Sequence, residues 1–545
     1  MKPEIVAKAD VVIVGSGAAG LFAALTLAHG AGSAPLPVRV IVLSEKPLGG
    51  ICASTWAQGG IAAVVDKDDT VESHTADTLK AAAGTADAHV VETLVRAAPE
   101  YIKILEKYGV QFERDDQGGF KLSREACHAR RRVLKAVAGD GFGHELMRAL
   151  VEAVRATPSI QFASGMSAER IIRRDGASMG AVQGVLARQL KDNKPVVFSA
   201  PAVLLATGGI GGLYAVTSNP LGAVGRGVAM AARAGAVLSD LEFVQFHPTV
   251  LDIGEDPAPL ATEALRGEGA HLLNSRGERF MLSYHEAGEL APRDVVSRGI
   301  FAQLQKGQKV YLDCRHIDVA HFPALIQASA RAGYNPQKDL LPVAPAVHYH
   351  MGGIATDLNG RSSVNGLWAA GETAATGLHG ANRLASNSLM EAVVMGARAA
   401  EDIARFVAGT EKADDIVIDT KHLPTLRADM TLESEKEQLR HIMSDLVGVI
   451  RHEQGLKTAI RDIQAIARVA DAHDVKLADM ALVARMIAVS ALRRTESRGG
   501  HCRSDYTQAD RAWQKRTYIT LKEIDALTQE TLTPATRKEK ERAVV

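Results

Sequence analysis

Short apolar runs alternate with glycine turns at both ends of the chain. The run Val11–Val14 carries no polar residue, meets Gly15-Ser16-Gly17-Ala18-Ala19-Gly20, and continues as an Ala/Leu-rich stretch to about Ala28. That order predicts a strand, a tight turn and a helix. A second strand is predicted over 38–43, ending at Ser44-Glu45, then a loop over 49–60 and an amphipathic helical stretch over 70–108. Further on, an apolar run over 202–206 enters a glycine turn at Thr207-Gly208-Gly209. Another, over 366–370, ends at Gly371-Glu372 ahead of a helix near 388–406. Parallel-strand pieces at both ends, with a different texture between them, predict one interrupted α/β domain.

The interruption, 241–350, is polar and punctuated by Gly254, Pro257, Pro259, Pro292, Pro336 and Pro342, which predicts an α+β cap. From 432 onward the pattern is helical. Ser434 and Glu437 have capping-box spacing, and Leu439, Ile442, Met443, Leu446, Val447 and Ile450 form one stripe. Similar stripes at Leu456, Ile460 and Ile463, and at Leu482, Val483, Met486 and Ile487, predict a bundle of about three helices. The expected division is therefore 1–240 and 351–430 as two parts of a Rossmann-like nucleotide domain, 241–350 as the cap, and 431–545 as a helical bundle. The charged run 536–542 reads as a solvated tail.

Composition narrows the partners. The 545 residues carry 63 Lys+Arg and 63 Asp+Glu, so the net charge of zero gives no general hold on nucleic acid or anionic lipid. Aromatic residues make up only 4%, which leaves few platforms for stacking bases. Cys52, Cys127, Cys314 and Cys502 are far apart and form no CxxC. That pattern predicts neither a zinc site nor a thioredoxin-type pair, and fits a reducing, cytoplasmic compartment. The uncharged stretch 11–28 invites an export or membrane reading. Its three glycines, and Glu4 and Asp10 before it, favour strand–turn–helix instead.

In the turn at 15–20, Gly15 permits the sharp bend, Gly17 brings backbone N–H groups to a pyrophosphate, and Gly20 lets helix and strand pack. Glu45, 25 residues past Gly20, reads either as a ribose acceptor or as a surface carboxylate beside Lys46. The fingerprint alone does not choose FAD over NAD. The returning turns at Ala206-Thr207-Gly208 and Gly371-Glu372 point to a large flavoprotein, and two longer motifs go further. They are Ser54-Thr55-Trp56-Ala57-Gln58-Gly59-Gly60 and His379-Gly380-Ala381-Asn382-Arg383-Leu384-Ala385-Ser386-Asn387-Ser388-Leu389. With them the chain resembles the succinate dehydrogenase/fumarate reductase flavoprotein superfamily, and within it the L-aspartate oxidase branch, from about residue 11 to 506.

The resemblance implies FAD contacts at Gly15, Ser16, Gly17, Ala18, Ala19, Gly20 and Glu45. It extends them to Ser54, Thr55, Ala57, Gln58, Gly59 and Gly60, and to Ala206, Thr207, Gly208, Glu372, Ser388 and Leu389. Ala53 stands where respiratory relatives carry the histidine bonded to FAD, so the cofactor is expected to be non-covalent. By resemblance, Arg383 and His348 hold one carboxylate of a four-carbon dicarboxylate, His247 and Thr262 hold the other, and Arg293 sits near the reacting carbons as the proton-transfer group. Glu125 faces the substrate ammonium; the alternative is a pair with Arg124 or Arg130.

The implied activity is FAD-dependent oxidation of L-aspartate to iminoaspartate. O2 or fumarate reoxidises the flavin, and iminoaspartate passes to a quinolinate synthase on the route to NAD. Two other readings stand beside it: a fumarate reductase or succinate dehydrogenase flavoprotein subunit with an iron–sulfur partner, and a flavin-binding module without turnover. Three departures from the family pattern matter. Ala126-Cys127 replaces two glycines, with Cys127 read as a packed cysteine and, as the alternative, an oxidisable thiol beside the site; Arg226 replaces an acid between Gly225 and Gly227; and Glu45 replaces a lysine. The late motif from Glu496 to Asp505 is expected to brace the helical region against the cap.

Overall fold

A computed structural model describes residues 3–30, 38–137, 141–174, 180–410, 412, 414, 416–418 and 432–533. At its centre is a five-stranded, wholly parallel sheet in the order Leu367–Ala369, Ala202–Leu205, Val11–Val14, Val40–Ser44, Ile160–Ser164. Val11–Val14 is buried at every position because helices cover one face of the sheet and a second sheet covers the other, which is why it reads as an unbroken apolar run. Beside it lies the strand from about residue 202 and beyond that the strand from about residue 367, so the turns at 15–20, 206–209 and 370–372 meet at the carboxyl ends of consecutive strands. The helices Ala18–His29 and Asn387–Ala408 pack on this sheet. Gly15, at φ 113°, cannot carry a side chain, because its Cβ would overlap the Ala206 carbonyl.

A second sheet, in the order Glu4–Lys8, Lys194–Ser199, Val182–Gln189, Met166–Arg173, was not anticipated from the pattern. Its inner strands, Val182–Gln189 and Lys194–Ser199, are covered on both faces and the sheet buries charge, as in the Arg188–Glu169 pair at 2.7 Å, so no apolar alternation marks them. The cap is a four-stranded antiparallel sheet, Val244–Leu251, Leu341–His350, Val310–Asp313, His271–Asn274. With the helices Arg293–Gln305 and Pro323–Arg331 it encloses its own core of Leu265, Leu272, Val296, Ile300, Leu312 and Leu341.

Among the described residues the C-terminal region holds four α-helices, Glu433–Leu446, Glu453–His473, Val475–Arg493 and Leu521–Leu532. Leu439, Met443 and Val447 are buried, as the stripe predicts. The expected capping box does not form. The first of these helices is preceded by Leu432, makes no side-chain cap bond, and already contains Ser434. A capping box closes on Thr520 and Glu523 instead. The region is also not purely helical, because Tyr518–Ile519 joins a small sheet with Leu238–Ser239, Gly353–Ala355 and Ala374–Ala375.

The stretch 70–108 is two helices, Val71–Ala81 and Ala88–Lys107. They are separated by Ala83 and Gly84 at positive φ, and the second is restarted by the Asp87 cap. The predicted loop at 49–60 includes one tight helical turn, Ala53–Trp56. The charged run 536–542 lies outside the described residues. No helix among the described residues is long and apolar enough to cross a membrane.

Candidate active site

A cavity of about 1010 Å³ runs from the carboxyl ends of the parallel strands to the underside of the cap. Gly15, Ser16, Gly17, Ala18 and Ala19 line one wall, at the N-terminus of the helix Ala18–His29. That helix has no acidic residue in its first turn and no side-chain cap on Gly17, so its positive end is left for an anion. Ala18 N donates to Ser54 Oγ at 3.2 Å, which fixes the 53–60 segment against the turn. A Cβ on Gly208, at φ 76°, would meet no atom within 4 Å, an open cradle on the opposite wall. Thr55, Ala57, Gln58, Gly59, Gly60, Ala206, Thr207, Glu372, Ser388 and Leu389 also line the cavity. Gly20 does not: it packs against the Gly15 backbone and acts on the helix–strand contact.

Glu372 is buried behind the 206–209 turn. It accepts from His350 N at 3.0 Å, and burial pushes its carboxyl up to about 7. Glu45 also lines the cavity, and its side chain is exposed. Its Oε1 pairs with Arg226 at 2.7 Å.

The far end of the cavity is built of side chains. Arg293, first residue of its helix, places Nε 2.8 Å from Glu263 Oε2 and donates through Nη1 to Gln245 Oε1 at 3.1 Å. Glu263 also takes Arg266 at 3.2 Å. Burial works against the Glu263 charge, but Arg293 and Arg266 outweigh it and hold the carboxyl down at about 2. Burial also opposes the Arg293 charge, yet Glu263 raises its pKa above the ordinary arginine value, so the group is a fixed cation.

Arg383 lies over the Tyr349 ring at 4.8 Å and donates to Ser388 Oγ at 3.2 Å. Its Nε is buried with no protein partner among the described residues, as is the neighbouring Ser386 Oγ. Burial and the nearby Arg293 bring its pKa down to about 10, which leaves it charged near neutrality. Buried donors left in this state call for a ligand.

His247 and His348 face each other with ring centroids 5.3 Å apart. Thr249 N donates to His247 Nδ1 at 3.2 Å, leaving Nε2 as the donor, and His348 Nδ1 meets Ser218 Oγ at 2.9 Å. Burial, then the arginines around them, hold both imidazoles neutral, well below the ordinary histidine pKa. Thr262 lines the same space and caps the short helix Glu263–Gly267, its Oγ1 accepting from Ala264 N at 3.5 Å.

Glu125 also lines this chamber. An ideal Cβ on Gly59 would stand 2.6 Å from its Oε1, so the glycine leaves room for the carboxylate. The cations that act on Glu125 are Arg293, Lys135 and Arg383; Arg124 and Arg130 are exposed. Burial, then the Glu263 charge, pushes the Glu125 carboxyl above its ordinary range.

Sequence reasoning assigned no role to Gln245 and Glu263. Gln245 is buried two residues before His247 on one strand and gives both amide hydrogens away, to Asn382 Oδ1 and Arg383 O, each at 2.9 Å. It thereby ties Arg293 to the segment carrying Arg383. The i, i+2 spacing from His247 was the available signal. Cys127 is exposed at φ 67° and is not packed as expected: the backbone keeps the left-handed conformation that the absent glycine would favour. The late motif does reach across regions. Arg498 Nη1 donates to Ala83 O at 2.8 Å, and Arg298 of the cap donates to Gly499 O at 3.0 Å.

A dinucleotide-sized channel, a helix N-terminus free of acid, and a chamber of buried arginines and histidines at its end define a flavoprotein of the succinate dehydrogenase/fumarate reductase type. The comparisons agree with that class. An FAD binding domain family matches residues 10–389, and a fumarate reductase flavoprotein C-terminal family matches 436–543. A solved E. coli quinol fumarate reductase FrdA variant superposes with a TM-score of 0.85 at 29% identity, over 94% of both chains. The sequence relatives are more specific. L-aspartate oxidase of Agrobacterium fabrum is 47% identical over 93% of this chain and 92% of its own length; that of Caulobacter vibrioides is also 47% identical, over 94% and 96%. The chain belongs to the L-aspartate oxidase family.

Proposed function

We infer that this protein oxidises L-aspartate to iminoaspartate, with non-covalent FAD along the channel and the amino acid in the buried chamber. The observation that carries the reading is Glu125 within the chamber that also holds Arg383, Arg293, His247 and His348. L-aspartate carries an α-ammonium that succinate and fumarate lack, and Glu263 is already paired with Arg293 and Arg266, which leaves Glu125 as the carboxylate for it. An ammonium buried without Glu125 would have no anionic partner at that end of the substrate.

FAD, held by the turn at 15–20 and by Gly208, would supply the redox chemistry of the oxidation, with O2 or fumarate as the electron acceptor. The protein's part is orientation and charge. Arg383 and His348 grip one carboxylate, and Arg383 brings an unpaired Nε to it. His247, neutral and donating from Nε2, and Thr262 take the other. Arg293, held by Glu263 and Gln245, stands over the reacting carbons as a fixed cation and donor. A guanidinium paired in this way is poorly suited to lose a proton, so Arg293 acts there through its charge and its N–H groups. Ala53 offers no imidazole for a covalent flavin link.

The two-part nucleotide domain (1–240, 351–430), the cap (241–350) and the helical domain (431–545) remain our division of the chain, supported by the separate cap core. We also place the protein in the cytoplasm, with four unpaired cysteines in support, and upstream of a quinolinate synthase, since iminoaspartate is short-lived in water. A respiratory subunit is the second reading; the fumarate reductase superposition favours it, and Ala53 and Glu125 oppose it. Anaerobic titration of the FAD-loaded protein decides between them. Loss of oxidised-flavin absorbance with L-aspartate and not with succinate is the expected result; the reverse would assign it to the respiratory side.

A further inference from the structure

At the nucleotide end of the cavity is an acid–base pair that the chemistry above does not use. Glu45 follows the strand Val40–Ser44, where a dinucleotide presents its ribose. Its Oε1 accepts from Ser167 Oγ at 2.7 Å and pairs with Arg226 Nη1 at 2.7 Å; its Oε2 bonds to no protein group among the described residues. Arg226 lines the same cavity as the first residue of the helix Arg226–Arg233. Its Nη1 also contacts Ser167 Oγ, and its Nε reaches Asp479 Oδ2 at 3.3 Å on the helix Val475–Arg493. Asp479 is fully buried and is shared with Arg233.

A glutamate side chain with 40% of its surface exposed would ordinarily sample several rotamers. Two donors on one oxygen leave a single orientation, with the second oxygen available to a ligand hydroxyl. The sequence had Glu45 in place of a base and Arg226 in place of an acid. At 2.7 Å the two departures are one pair with its polarity exchanged.

We propose that Arg226 is a positioning residue for the cofactor: it holds Glu45 so that the carboxylate accepts from the adenosine ribose of FAD, and through Asp479 it ties that grip to the C-terminal helical region. The proposal rests on the FAD reading above.

The test is a titration of apoprotein with FAD, and with FAD whose adenosine ribose lacks its 2′-hydroxyl, followed by flavin fluorescence. Wild type is expected to bind the deoxy compound about 10-fold more weakly than FAD, the weight of one hydrogen bond to a charged group. Glu45→Gln and Arg226→Gln should each weaken FAD by about 10-fold and lose the discrimination, and the double variant should be no worse than the weaker single. Arg226→Met, with the same expectation, stands in if Arg226→Gln does not fold. Retained discrimination in the Arg226 variant, or losses that multiply in the double variant, would overturn the proposal. So would wild-type FAD affinity in both singles. A wild-type protein that binds no FAD would instead bring down the cofactor reading beneath it.

Discussion

At the dinucleotide end of the cavity the ligand meets main-chain N–H groups and glycines, on the turn at 15–20 and at Gly208; at the substrate end it meets Arg293, Arg383, His247, His348 and Glu125. The first kind of site comes from strand–turn geometry at two places and rests mainly on backbone, with one paired carboxylate, Glu45, beside it. The second is assembled from five segments of chain and exists only because buried charges are paired: Arg293 with Glu263, Glu263 with Arg266. Backbone sites therefore fail by steric exclusion, whereas side-chain sites fail by leaving an unpaired charge behind.

The largest break is expected at Arg293. Arg293→Gln should lower the rate of flavin reduction by L-aspartate about 10³-fold, as for loss of a preorganised donor, with FAD affinity unchanged. Rapid-reaction absorbance reads the first, and fluorescence titration the second. Gly15→Ala should do the opposite. Its Cβ would overlap the Ala206 carbonyl at a φ that disfavours any side chain, so a loss of about 3 kcal/mol in stability, with loss of FAD, is expected in urea unfolding and fluorescence titration.

Glu125→Gln separates the substrates. The KM for L-aspartate should rise about 10- to 100-fold while fumarate, which has no ammonium, binds as before; steady-state kinetics with fumarate as acceptor and as inhibitor checks both. The same residue sets the acid limb of activity. Because burial and Glu263 raise its carboxyl pKa, Glu125 loses its charge at a higher pH than an ordinary carboxylate as the solution is acidified. L-aspartate affinity should therefore fall on mild acidification while fumarate affinity does not follow it. His247 and His348, neutral throughout that range, do not contribute, and Glu125→Gln should flatten the limb. The smallest effect is expected at Cys127, where Cys127→Gly relieves a left-handed residue by about 1 kcal/mol, read as a higher urea midpoint.

Legibility in the sequence divides along the same line. Strands buried on both faces, such as Val11–Val14 and Ala202–Leu205, show as plain apolar runs ending in glycine turns, so the nucleotide fold was readable. Val182–Gln189 is just as buried but carries Gln183 and Arg188, whose cost is offset only by distant partners such as Glu169; nothing local marks such a strand. The motifs supplied His247, Arg293, His348 and Arg383 because their order along the chain resembles a family. Gln245 and Glu263 were missed because their roles consist of contacts with Arg293 across 48 and 30 residues of chain. Ser434 with Glu437 has the spacing of a cap without being one, since the helix begins before Ser434.

The central claim is that Glu125 makes this chamber an amino-acid site, and one measurement bears on it most directly: anaerobic flavin reduction by L-aspartate and by succinate, in wild type and in Glu125→Gln. Wild type is expected to be reduced rapidly by L-aspartate and not by succinate, with the L-aspartate concentration needed rising about 10- to 100-fold in the variant. Reduction of both proteins by L-aspartate at the same concentration, or of wild type by succinate alone, would contradict the claim.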